Sequence, residues 1–155
     1  MVVVARLLTV VDVDYEGYVL GESSSRANAS GWSAIRTTRR RPDARRISVR
    51  TRQEAVLSDD RRVVLLNDRG WSGGTWAQET AEEMERIARF VVGPDEPFEG
   101  RTQDDMEADH WNSLARVLQQ QGVEVEAAEL KALPHDVELS DRVLARLGVG
   151  RAGTP

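Results

Sequence analysis

Ser72 stands in Gly70-Trp71-Ser72-Gly73-Gly74, which has the spacing G-x-S-x-G of a serine raised on a tight strand-to-helix turn for attack on an acyl carbon. Arg69 precedes it. A glycine-rich turn ahead of a helix would also aim free N–H groups and the positive helix end at one anion. The run is neither G-x-x-x-x-G-K-S/T nor G-x-G-x-x-G, so it meets neither nucleotide-binding fingerprint. An α/β-hydrolase needs several parallel strands before the elbow and an acid then a histidine after it, which 155 residues cannot supply. A plain strand-to-helix connection is the favoured reading. The alternative is an anion-binding, enzyme-like module in which Arg69, Ser72 and the adjacent backbone hold the ligand and His110 or His135 titrates nearby.

Asp104, Asp105, Glu107, Asp109 and His110 fall within seven residues, and a helix would bring some of them to shared faces. That composition is what a metal site uses. Carboxylates at a helix start are equally what the dipole favours, H-E-x-x-H is absent, and His110 lies on an apolar stripe, so a core histidine is preferred and no metal is assigned. His135 stands beside Asp136, whose carboxylate could orient the imidazole of a general base. No nucleophile is matched to it. With no cysteine there is no disulfide, thiolate chemistry or cysteine-held zinc. No catalytic residue and no cofactor is assigned.

Arg36, Arg39, Arg40, Arg41, Arg45, Arg46, Arg50 and Arg52 form a basic run broken by one acid, Asp43. Residues 1–75 carry 13 Arg against 9 acids, whereas the later half is strongly acidic within a net charge of −5. Arginines with Trp32 and Tyr18 to stack on bases would suit single-stranded nucleic acid. The acidic balance argues against a dedicated nucleic-acid domain and makes a solvated or partner-binding surface the better reading. Trp32 and Trp71 adjoin glycine-containing segments, and an exposed Trp beside Arg is hot-spot composition. Trp76 and Trp111 read as core.

These residues need elements to position them. Val3, Ala5, Leu7, Thr9, Val11, Val13 and Tyr15 alternate as one neutral face of a first strand, and the partly apolar second face makes that strand central. Residues 21–31 read as a mobile loop. Ile47 to Leu57 and Val63 to Asn67 make a hairpin around Ser58-Asp59-Asp60-Arg61. Period two stops at Asp68, and Thr75 with Gln78 reads as the capping box of a helix whose stripe is Trp76, Thr80, Met84, Ile87, Phe90 and Val91. A second helix follows Thr102, with the stripe Met106, His110, Trp111, Leu114, Val117 and Leu118, and Gly122 ends it. Val123 to Val125 has the length of an edge strand at most. Ala127 to Ala132 makes about one and a half turns, and Ser140 caps a short last helix ending at Gly148.

Strands first and helices later predict one α+β domain over residues 1–150: a mainly antiparallel sheet from the N-terminal half, packed by two or three helices from the C-terminal half, with a frayed tail at 151–155. The opening MVVVARLLTVVDVD is broken by Arg6, Asp12 and Asp14 and lacks a basic start, so it reads as structure and not as a leader. No segment reaches the roughly 18 uninterrupted apolar residues of a membrane span. The expectation is a cytoplasmic binding or accessory protein, such as a neutraliser of a protein partner. Its surface would comprise Trp32, Arg39, Arg40, Arg41, Arg45, Arg69, Trp71 and Ser72. Nucleic-acid binding through the arginine run is the further alternative.

Overall fold

The apolar alternation of the N-terminus builds β1 (Val4–Val13), and the hairpin signal builds β2 (Arg46–Leu57) and β3 (Arg62–Thr75). The computed structural model describes residues 1–14 and 45–148. A turn of 3-10 helix (Trp76–Gln78) leads to α1 (Ala81–Val91), α2 (Gln103–Gln120), α3 (Ala127–Ala132), β4 (His135–Leu139) and α4 (Asp141–Leu147). Sheet order is β3-β2-β1-β4. The β1–β2 and β2–β3 pairs are antiparallel, while β4 runs parallel to β1, so the α+β expectation holds for a mixed sheet with β1 inside it.

Two bulged regions decide which residues face inward. On β1 the register with β2 steps by an extra residue between Val4 and Arg6, leaving Val4 buried while Val3 and Ala5 are exposed. One inserted residue reverses the alternation, so the predicted inward set is right from Leu7 onward and wrong before it. On β3 the register slips around Asn67–Asp68 and again near Leu65. The strand then continues through the glycines to Thr75, where a break had been expected. Gly70 makes this possible: a Cβ there would lie 2.3 Å from the Val49 carbonyl oxygen and 2.9 Å from Arg50 Cα. Only a residue without that carbon lets the strands approach so closely.

The longer strand moves the first helix. Trp76 N–H donates to Arg45 O at 2.9 Å, so Trp76 finishes the sheet instead of opening a helix, and Thr75 makes no cap. Thr80 is the cap, accepting from Glu83 N–H at 3.1 Å. With α1 phased on Met84, Ala88 and the following Val92, Phe90 turns outward and is 74% exposed. The other two caps fall where predicted: Thr102 and Asp105 form a reciprocal box, and Ser140 accepts from Val143 N–H. Val123 and Val125 form no strand but bury their side chains in the core. The sheet edge is taken by β4, a strand unseen in the sequence pattern because only five residues, His-Asp-Val-Glu-Leu, carry it.

All four helices among the described residues bury apolar residues against the sheet face bearing Leu7, Val11 and Val49. Leu114, Leu118 and Leu130 pack over Leu7, Ala55 and Leu57 in one cluster. Met84, Ala88 and Val143 pack with Trp76 over Val11, Ile47 and Val49 in another. Between them lies a polar seam of Thr9 and Gln53, paired across β1 and β2, with Thr51 beside them; all three are buried. Thr51 Oγ1 donates to Arg69 O, and Thr9 Oγ1 meets His135 Nε2 at 2.7 Å.

Candidate binding cleft

Pairing of Arg46 with Thr75 and of Arg45 O with Trp76 N–H closes the start of β2 onto the end of β3. The arginine run and the Gly-Trp segment, separate in sequence, meet there. Arg146 in the last turn of α4 completes the group, its guanidinium carbon 5.8 Å from the Trp76 ring centroid. The result is a cleft of about 840 Å³ whose described lining includes Arg45, Arg46, Arg146, Gly74 and Trp76 and no acid. Trp76 is buried, and its indole Nε1–H has no hydrogen-bond partner among the described residues. Three guanidinium groups around the Trp76 ring form a surface for carboxylates or phosphates.

Of the expected surface residues, Arg45 lies in this cleft, while Trp32, Arg39, Arg40 and Arg41 lie outside the described residues, as do the loop 21–31 and the tail 151–155. Trp71 is half-buried, opposite Val49 and packed on the second cluster. Ser72 is exposed within β3, opposite Ser48; it stands on a paired strand, with no sharp elbow and no helix immediately after it. Arg69 pairs with Thr51 and Ser72 with Ser48, so the two side chains leave opposite faces of β3, while both residues and Trp71 line one cavity of about 380 Å³. The helix end expected to complete an Arg69–Ser72 anion site is absent, because Gly73 and Gly74 belong to the strand.

Arg69 instead holds the end of α1. Its Nη1 donates to Val91 O at 3.0 Å and Gly93 O at 2.6 Å, and its Nη2 pairs with Asp95 at 3.3 Å. A cation at a helix C-terminus satisfies orphan carbonyls and complements the dipole. Elsewhere in the basic run, Arg52 joins Arg62 in neutralising the buried Glu54 carboxylate.

The histidines have separate surroundings. Burial lowers the His135 pKa below its ordinary value, helped by Arg89 and opposed by Asp136. Asp136 does not orient the ring: neighbours on a strand face opposite sides, and its carboxylate pairs with Arg6 at 3.1 Å. Burial likewise lowers His110, with Arg69 adding to the effect and Asp95 and Glu107 opposing it. His110 sits on the α2 core stripe, its ring edge-on to Trp111, and its buried Nε2 has no hydrogen-bond partner among the described residues. The acids around it serve the helix: Asp105 closes the cap, Asp109 pairs with Arg101, and Glu107 pairs with Lys131. No group of three ligating side chains converges on a metal position among the described residues.

The core reading of Trp76 holds, since it is buried in the second cluster, but sequence reading did not place it or Arg146 at a binding cleft. The available signal was Trp76 following two glycines at the end of an apolar hairpin. Nothing local marked Arg146, whose role depends on where α4 docks. No protein-family model, no curated protein and no solved structure matches this chain.

Proposed function

We propose that this protein is a small accessory protein of the cytoplasm that masks a protein partner, taking an acidic segment of that partner into the Arg45–Arg46–Trp76–Arg146 cleft. The observation that carries this reading is the convergence of Arg45, Arg46 and Arg146 around Trp76 in one cleft. In a chain of net charge −5, such a cleft concentrates positive potential where the rest of the body repels acids, which favours specificity and encounter rate. An enzymatic reading has less support, because the Ser72 and Arg69 side chains leave opposite faces of β3.

Fluorescence anisotropy with a labelled decaglutamate peptide tests the proposal. Binding should weaken steeply with salt and fall about tenfold or more in Arg46→Glu. An Arg46→Glu variant that binds equally well overturns it. Tighter capture of a thymidine decanucleotide than of the peptide would transfer the cleft to nucleic acid and overturn the protein-partner reading.

A further inference from the structure

Arg146 enters the arginine–tryptophan cleft from α4, a helix of only seven residues. A helix that short has little stability of its own in water, so the direction of its side chains depends on what holds it. One hold is apolar: Val143 is fully buried in the second cluster, with Leu144 and Leu147 packed against that cluster. The other is Asp12 of β1. Its Oδ1 accepts from Ser140 Oγ at 2.8 Å and from Arg142 Nε at 3.2 Å, and its Oδ2 accepts from Arg142 Nη2 at 2.5 Å. The Val13 N–H also donates to Oδ1 at 2.8 Å and holds the carboxylate in turn. Ser140 is the N-cap of α4: its hydroxyl oxygen accepts from Val143 N–H at 3.2 Å, and its own N–H donates to Val11 O at 2.9 Å.

Arg142 and Arg146 are four residues apart, so they leave α4 on one side, about 6 Å apart along its axis. The pair of Arg142 with Asp12 therefore sets the rotation of the helix and, one turn on, the direction of Arg146, whose guanidinium carbon lies 5.8 Å from the Trp76 ring centroid. We infer that Asp12 is a positioning residue of the cleft: through Ser140 and Arg142 it fixes the start and the rotation of α4 so that Arg146 meets the Trp76 ring. The inference rests on the reading of that cleft as the site for an acidic segment. A positioning role and a direct charge effect have opposite signs. An acid close to a basic cleft repels an acidic ligand, so removing its charge, and with it the neutralisation of Arg142, tightens binding by electrostatics alone. Removing a positioning group weakens binding, because Arg146 is then free to point away from the cleft.

Asp12→Asn keeps the shape of the side chain and removes the ion pair. In the full chain it should weaken labelled decaglutamate about threefold or more at low salt. Made in an Arg146→Ala background, the same substitution should give no further weakening, since residues that act through one contact are not additive. A second measurement needs no ligand. By NMR, the Trp76 indole N–H resonance should move in Asp12→Asn in the direction it moves in Arg146→Ala, and Arg142→Gln, which severs the pair from the helix side, should repeat that shift. Equal or tighter peptide binding in Asp12→Asn, a full additive loss in the double variant, or a Trp76 resonance that stays in place in either single variant would each overturn the inference. Decaglutamate that fails to bind the parent protein overturns the acidic-segment reading alone, and the resonance comparison then decides what Asp12 does to Arg146.

Discussion

Arg69 and Arg46 sit on neighbouring strands and carry the same guanidinium, but the fold gives them opposite employment. Arg69 reaches inward, where two α1 carbonyls and Asp95 occupy it. Arg46 is exposed at the mouth of a cleft shared with Arg45, Arg146 and the Trp76 ring. An arginine aimed at a helix end strengthens the fold, whereas one at a cleft mouth adds potential without adding structure. Residue type alone therefore does not mark a binding arginine. The acceptors within reach do.

The largest perturbation should remove the strand pairing on which both regions depend. Gly70→Ala places a carbon against two backbone atoms of β2 that no rotamer change can relieve, and a loss of about 3 kcal/mol is expected in urea unfolding. An unchanged midpoint would show that the strands do not approach as described. Next in size, Arg69→Ala strands the Val91 and Gly93 carbonyls and should cost about 2 kcal/mol, with faster amide exchange in the last turn of α1. Arg46→Ala should stay within about 0.5 kcal/mol of the parent. Equal losses from the two substitutions would erase the contrast between inward and outward arginines.

Protonation sharpens the same comparison. Both histidines have pKa values lowered in the folded chain from the ordinary 6.5, so the unfolded chain binds more protons as pH falls below that value. Stability should decline there, by no more than about 1.4 kcal/mol per pH unit for each histidine, until the folded rings also titrate. Thermal unfolding between about pH 7 and 5 measures the slope, and His110→Gln should reduce it. Arg69→Gln should move His110 back toward its ordinary value while His135, which faces Arg89, keeps its own. A common shift of both rings in NMR titration would contradict their separate surroundings. Asp12 acts at lower pH: burial raises its carboxyl, but hydrogen bonds from Arg142, Ser140 and the Val13 amide outweigh that and hold it down. Its contribution is present above the ordinary 3.8 and lost as pH falls through the folded value. The smallest effect concerns the cleft itself, where the contact of Arg146 with the Trp76 ring, removed in Arg146→Ala, is worth about 0.5 kcal/mol. A loss several times larger would mean that Arg146 supports the fold as Arg69 does.

The amino-acid sequence by itself determined the features that depend on near neighbours. Period-two alternation marked β1 from Leu7 onward and the β2–β3 hairpin, and short polar side chains marked the caps at Thr102 and Ser140. The apolar face of α2 was equally legible, because its spacing repeats over many turns. Tertiary structure decided what depended on distant partners. Bulges at Val4–Arg6 and in β3 changed which residues face inward, since register is a relation between strands. The β-strand His135–Leu139 was too short to declare itself and exists through its pairing with β1. The cleft joins Arg46, Trp76 and Arg146 only because Gly70 lets β3 run alongside β2 to Thr75 and because α4 docks over that corner. No local pattern records a contact made by chain segments that far apart.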